Sequence, residues 1–224
     1  MLLLAVNSGG LKAETNLPGF PTNSFVAFAL AVPFIQGALF ATMNTGTDLA
    51  RDIQTGFLNR LTLTPMRGIA LLCGQLGGVI VLSLVQATVY LGVGMITGVR
   101  VASGPAGVVT LFAFAALVGL AFGALGAFAA LRTGSGEAVQ SLFPAFFVFL
   151  FISSMNIPRN LIEATWFRDA ATANPVSYLL EAVRSLIITG WDGEALALGF
   201  GIATVVAVVA LAASSWALRV RMAR

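Results

Sequence analysis

Long apolar stretches alternate with short polar ones along most of the chain. Five of them, at roughly 24–45, 69–98, 106–131, 138–156 and 195–217, contain no charged residue. Each approaches or exceeds the ~20 apolar residues that a helix needs to cross a bilayer. The two-residue alternation of a membrane β-barrel is missing from all five, so the pattern predicts helices. The predicted fold is an all-α polytopic membrane protein, with residues 1–224 forming a single transmembrane domain. The first span follows the loop signature "NLPGFPTNS". The turns "VRVASGP" and "RTGSGEA" make the second, third and fourth spans antiparallel neighbours.

The polar segments orient these spans. Arg51, Arg60 and Arg67 lie in the 46–68 segment, Arg132 in the turn after the third span, and Arg219, Arg221 and Arg224 at the C-terminus, whereas the opposite short segments hold only Lys12 and Arg100. The positive-inside rule therefore puts 46–68, the 132–137 turn and the C-terminus in the cytoplasm. Trp191 and Trp216 bracket the last span as interface anchors. Five spans with a cytoplasmic C-terminus leave the N-terminus outside, and "MLLLAV" then reads as the end of a span whose beginning is absent.

The 46–68 segment has a helical period of its own. Thr47 is a candidate N-cap; Leu49, Ile53 and Phe57 recur every four residues, and Asp48, Arg51, Asp52, Thr55 and Asn59 occupy the other faces. Pro65 ends the pattern. Such a helix lies along the cytoplasmic surface. The pattern alone slightly favours an anchor of the bundle in the interface; the narrow apolar stripe and mixed charges push against that and make a protein partner a credible alternative.

The connection 157–194 also carries helix signals. Asn160 to Glu163 is spaced as a capping box, and Asn174-Pro175 supplies a cap and an N1 proline. Tyr178, Leu179, Ala182, Val183, Leu186 and Ile187 then share a face until Gly190. Glu181 and Arg184, three apart, are expected to pair on the polar side, and Arg184 is expected to avoid lipid. The two implied helices either rest on the outer surface or dip into the membrane.

Two blocks carry a family resemblance. Arg51-Asp52, Gly56, Arg60-Leu61 and Thr64-Pro65 resemble the "E-R-E-x-G-T-x-x-x-L-x-x-T-P" stretch of the type-2 ATP-binding-cassette (ABC) export permeases, the family that includes daunorubicin-resistance and nodulation-factor exporters. "GEAVQSLFPAFFVFLFISSMNIPRN" followed by "NPVSYLLEAVRSLI" is similar to that family's later spans and its "N-P-x-x-Y…R" element. The family has six spans where five are read here, and Ala50 and Asp52 stand where its glutamates usually are. The resemblance implies that 46–68 is a coupling helix seated on a cytoplasmic ATPase subunit, with that role falling on Arg51, Asp52, Gly56, Phe57, Arg60, Thr64 and Pro65. It implies a re-entrant outer hairpin around Asn174, Pro175, Tyr178, Glu181 and Arg184. It further implies two permease and two ATPase subunits, ATP and Mg bound by the ATPase chains, a prokaryotic plasma membrane, and outward movement of a drug, lipid or glycan by alternating access. A channel, an ATP-independent carrier or a non-transporting assembly protein are the alternatives.

Composition narrows the chemistry. Hydrophobic residues make up 58% of the 224 and charged residues 9%, against roughly 25% charged in soluble domains. The net charge of +3 is scattered over span ends instead of forming a basic stripe, which points to membrane topology and away from nucleic acid. With no His and one Cys, Cys73, a zinc site or thiol pair within the chain is not expected. No P-loop motif occurs, and no carboxylate falls inside a predicted span, which disfavours ATP binding on this chain, membrane catalysis and proton coupling. Gly119 and Gly123, with Gly74, Gly77 and Gly78, offer small faces for helix packing. Gln36, Gln75, Gln86 and Gln140 need interhelical partners, and Gln36 and Gln140 could line a pathway.

Overall fold

The computed structural model describes residues 21–57, except residue 23, and 68–222. Helix follows helix: α1 (Phe25–Ala29), α2 (Ala31–Gln54), α3 (Gly68–Ile96), α4 (Gly104–Thr133), α5 (Gly136–Gln140), α6 (Phe143–Phe151), α7 (Thr165–Ala173), α8 (Pro175–Arg184) and α9 (Gly193–Met222). A 3-10 turn, Arg159–Leu161, precedes α7, and a π-helical turn, Ser185–Thr189, extends α8. Among the described residues, four stretches are long and apolar enough to cross a membrane: Phe25–Gln54, Leu72–Ile96, Gly104–Thr133 and Gly193–Arg221. The chain is therefore an all-helical, multi-pass membrane protein.

Prolines account for two departures from the predicted spans. Pro144 has no N–H to give to the carbonyl of Gln140, and the helix breaks between α5 and α6 at Ser141 and Leu142. The apolar stretch Gly136–Phe151 that replaces the expected 138–156 span is shorter than the other four. At 1.5 Å per residue it extends only ~24 Å, below the ~30 Å of a hydrocarbon core. Pro33 acts the same way on the carbonyl of Ala29, separating α1 from α2 at Leu30. Ser24 caps α1, its side chain accepting from the N–H of Ala27.

At the other end of α2 the difference lies in continuity. The first predicted span and the start of the amphipathic segment are one helix running to Gln54, so Thr47 sits inside it and caps nothing. Leu49 and Ala50 are fully buried there, which supplies the packing that carries the helix past the apolar run.

The described chain divides into two compact units. The first combines residues up to Gln36 with Gln86–Phe114 and Phe147–Ile202; its core includes Phe28, Leu30, Ile35, Leu111, Phe114, Leu180, Leu186 and Ile187, all nearly inaccessible. The second combines Gly37–Val85, Ala115–Phe146 and Ala203–Arg224. Its core gathers Met43, Leu49, Leu72, Leu131, Val139 and Leu218 around the alanines of α4 and α9.

Glycines do set the helix spacing in the second unit, although the contacts differ from those expected. Gly119 and Gly123 of α4 receive the Ser83 and Val79 side chains of α3, whereas nothing lies within 4 Å of a Cβ built on Gly74, Gly77 or Gly78. The tightest approach to backbone is between α4 and α2, where a Cβ on Gly126 would stand 2.1 Å from the carbonyl oxygen of Thr42. Thr42 fixes the same crossing through its hydroxyl, which donates to the carbonyl of Phe122 at 2.9 Å. Because the obstructing atom is backbone, Gly126→Val is expected to push the helices apart and destabilise the protein by about 1–3 kcal/mol or more. A lower thermal unfolding midpoint of the purified chain in detergent measures this; an unchanged midpoint refutes it.

Candidate functional site

Two groups of polar residues stand out against this apolar frame, one in each unit. In the second unit, α2 ends on a polar tip. Arg51 is exposed, Asp52 half-buried, and Ile53 packs against the core below them. Gly56 then turns the chain at φ +72°, a conformation that side-chain-bearing residues rarely adopt. Phe57 follows, half-exposed at 47%, so of the predicted stripe Leu49 and Ile53 hold the bundle while Phe57 does not. The tip is tied to the turn after α4, since Gln54 Nε2 donates to the carbonyl of Gly134 at 3.2 Å. Arg221 Nη1 reinforces that turn by donating to the carbonyl of Leu131 at 2.8 Å. Arg60, Thr64 and Pro65 lie outside the described residues.

In the first unit the polar residues converge on α8. Asn174 is its N-cap as expected, accepting from the N–H of Val176 at 2.9 Å, with Pro175 in the first turn. The apolar face is buried from Val176 to Ile187, and Gly190 ends the element at φ +98°. The polar stripe is where expectation fails. Asn174, Ser177 and Arg184 are all buried, so α8 is covered nearly all round, whereas Trp166, Arg168 and Asp169 of α7 are exposed.

What covers the stripe is backbone. After α6 the chain leaves helical form, and its polar groups find partners on α8. Asn174 Nδ2 donates to the carbonyl of Phe149 at 2.5 Å, and the N–H of Ser154 donates to Ser177 Oγ at 3.1 Å. Arg184 donates to three carbonyls: Nη1 to Ser154 at 2.5 Å, Nη2 to Met155 at 2.6 Å, and Nε to Phe28 at 3.2 Å beside the break at Leu30. Its guanidinium also lies 3.5 Å from the ring centroid of Phe28. Burial pushes the Arg184 pKa down to about 9, and the nearby Glu181 charge works in the opposite direction.

Glu181 does not pair with Arg184 as the three-residue spacing suggested. It accepts two bonds from Arg159, at 2.7 Å from Nε and 2.5 Å from Nη2, forming a bidentate pair that the sequence reading missed. Such a fork holds geometry better than a single contact. Burial disfavours the Arg159 charge, but the Glu181 bonds outweigh it and the Arg159 pKa is raised. Arg159 also lies over the ring of Tyr178, 4.4 Å from its centroid, while the Tyr178 hydroxyl donates to the carbonyl of Thr172 at 2.8 Å. The expected capping box at Asn160 is absent: Asn160 lies in the 3-10 turn, and α7 starts after Ala164 with no side-chain cap. The π-helical turn is secured separately, with Ser103 Oγ donating to the carbonyl of Leu186 at 2.7 Å.

The glutamines contribute less. Gln140 is exposed and Gln36 half-buried, and Gln75 Oε1 is buried without a partner among the described residues. The described residues contain no His, Cys, Asp and Glu cluster suited to a metal.

Long apolar helices, a polar helix tip and a charged side chain buried on backbone carbonyls together define a polytopic membrane protein. Residues 10–188 match the ABC-2 type transporter family model, and the chain belongs to that family. It is similar to the daunorubicin resistance ABC transporter permease protein DrrB1 of Streptomyces coeruleorubidus, with 29% identity over 192 residues. The match covers 84% of this chain and 64% of that protein, so the chain spans less than two thirds of its relative's length. No solved structure matches it.

Removing Arg184 leaves three carbonyls without their charged donor. Arg184→Met, which keeps much of the volume, is expected to cost about 3 kcal/mol or more. Arg184→Lys should recover only part of that, because an ammonium cannot reproduce the planar fork. Unfolding midpoints in detergent rank the three proteins; equal stability of wild type and Arg184→Met contradicts the assignment.

Proposed function

We propose that this chain is the membrane-spanning permease subunit of an ABC exporter, a transport component with no catalysis of its own. Energy then comes from a separate ATPase subunit that binds ATP and Mg, and a second permease subunit completes the pathway. The cargo class is hydrophobic or amphipathic, a drug, lipid or glycan. Family membership supports the permease assignment. The drug-resistance relative supports export over uptake. The chain sits in a prokaryotic plasma membrane, with the α2 tip, the 132–137 turn and the C-terminus in the cytoplasm, as the distribution of Arg51, Arg132, Arg219 and Arg221 favours.

The observation that carries this reading is the build of the α2 tip. One helix runs from the apolar region to Gln54, where Gly56 turns the chain and leaves Arg51 and Phe57 exposed. A helix that ends this way can take a push on its polar end and pass it along its axis. An ATPase that moves on binding ATP supplies that push, and the spans respond by exposing cargo outward. Arg51, Asp52, Gly56 and Phe57 form the contact, joined by Arg60, Thr64 and Pro65. The segment around α8 closes the exit as a re-entrant element, with the carbonyl contacts of Arg184 allowing non-helical backbone at membrane depth.

Phe57→Asp tests the coupling. The side chain packs no core, so membrane insertion and unfolding midpoint should be unchanged, while export by the assembled complex falls about tenfold or more and its ATPase activity no longer responds to cargo. Full export by that variant removes Phe57 from the contact. Labelling of a cysteine placed at Thr55 from outside intact cells would remove the orientation, and the proposal with it.

A further inference from the structure

The first unit contains an open cavity of about 580 Å³ between the turn before α7, α8 and the start of α9. Its wall is unusually charged for a protein of this composition. Three arginines, Arg159, Arg168 and Arg184, face two carboxylates, Glu181 and Asp192, with the Phe28 ring at one side.

The charges are not equally available. Arg159 and Glu181 neutralise each other through their bidentate pair. Asp192 Oδ1 accepts from the N–H groups of Glu194 and Ala195, so its charge is turned toward the first turn of α9. Arg184 is balanced by neutral carbonyls alone, and Arg168 has no ion-pair partner among the described residues. Positive charge therefore remains in the wall after every pairing is counted. Arg184 uses three N–H groups on carbonyls, and a guanidinium has five.

Depth narrows the ligand further. Exposed Trp191 immediately precedes Asp192 and the long apolar helix α9. Exposed tryptophans flanking apolar spans settle at the level of lipid headgroups. At that level the abundant anion is phosphate, and arginine is its preferred side-chain partner because its planar donors match the oxygens.

We propose that this cavity binds a phosphate monoanion, held by Arg168 at its wall with the buried Arg184 charge behind it. The phosphate is either that of an anionic lipid headgroup or a free phosphate from solution, since the cavity opens at the interface. The site does not depend on the transport reading, and its test measures no transport.

The purified full chain is reconstituted in nanodiscs of phosphatidylcholine with or without phosphatidylglycerol, and retained lipid is counted by native mass spectrometry. In parallel, unfolding midpoints in detergent are recorded with inorganic phosphate or chloride at equal ionic strength. Three proteins are compared: wild type, Arg168→Gln and Asp192→Asn. Arg168→Gln removes the free cation from an exposed position, whereas Asp192→Asn removes a competing negative charge and keeps the helix cap. Affinity should fall about tenfold in the first and rise severalfold in the second. That order seen with phosphatidylglycerol and not phosphatidylcholine identifies a lipid source; seen only with inorganic phosphate, it identifies a soluble one. A gain of binding in Asp192→Asn cannot arise from misfolding. Equal behaviour of the three proteins toward lipid and phosphate overturns the proposal, as does weaker binding by Asp192→Asn.

Discussion

A backbone that stops being helical in apolar surroundings must find partners for its carbonyls, and here one guanidinium provides them. Arg184 reaches the carbonyls of Ser154 and Met155, just past α6, and that of Phe28, just before the Pro33-induced break. Without it, the non-helical stretch after α6 would lose its charged donor to the carbonyls of Ser154 and Met155, at a cost of about one to several kcal/mol each. A charged donor is the strongest remedy available, and arginine's fan of N–H groups lets one residue serve separate segments. Asn174 and Ser177, on the same stripe of α8, complete the arrangement at Phe149 and Ser154. The first unit is thus organised by a polar seam, whereas the second is organised by close contact of small residues such as Gly126 against Thr42.

The parts of the fold that were legible from the sequence are those governed by local periodicity. The spans read at 69–98, 106–131 and 195–217 agree with α3, α4 and α9 to within a few residues, because an uninterrupted apolar run has only one helical solution in a bilayer. The Asn174-Pro175 start of α8 and its end at Gly190 were legible for the same reason, since caps and stops are written within a few residues of the feature they control. The 46–68 segment was recognisable as polar and amphipathic, but its fusion with the preceding span was not. That fusion depends on burial of Leu49 and Ala50 by other helices.

The misreadings share a cause. Spacing along one helix shows only local partners, so Arg184 is expected to pair with its neighbour Glu181 on the polar side of α8. In the folded chain Glu181 is taken by Arg159, twenty-two residues away, and the stripe is turned onto the backbone. A signal was present: a span of 138–156 that holds Pro144 in its second turn and Ser153-Ser154 near its end cannot satisfy its own carbonyls to full length, and a nearby buried donor is then required. The Gly126 contact had no comparable signal, since α4 carries several glycines and the sequence does not say which of them a neighbour will press.

The carbonyls that Arg184 needs belong to residues 28, 154 and 155, and Ser103, which holds the turn after it, also precedes it in the chain. Every acceptor has thus left the ribosome before the arginine does. A cation released alone into a bilayer meets an opposing cost of at least ~2.5 kcal/mol. Vectorial synthesis thus presents the acceptors before the cation that they hold.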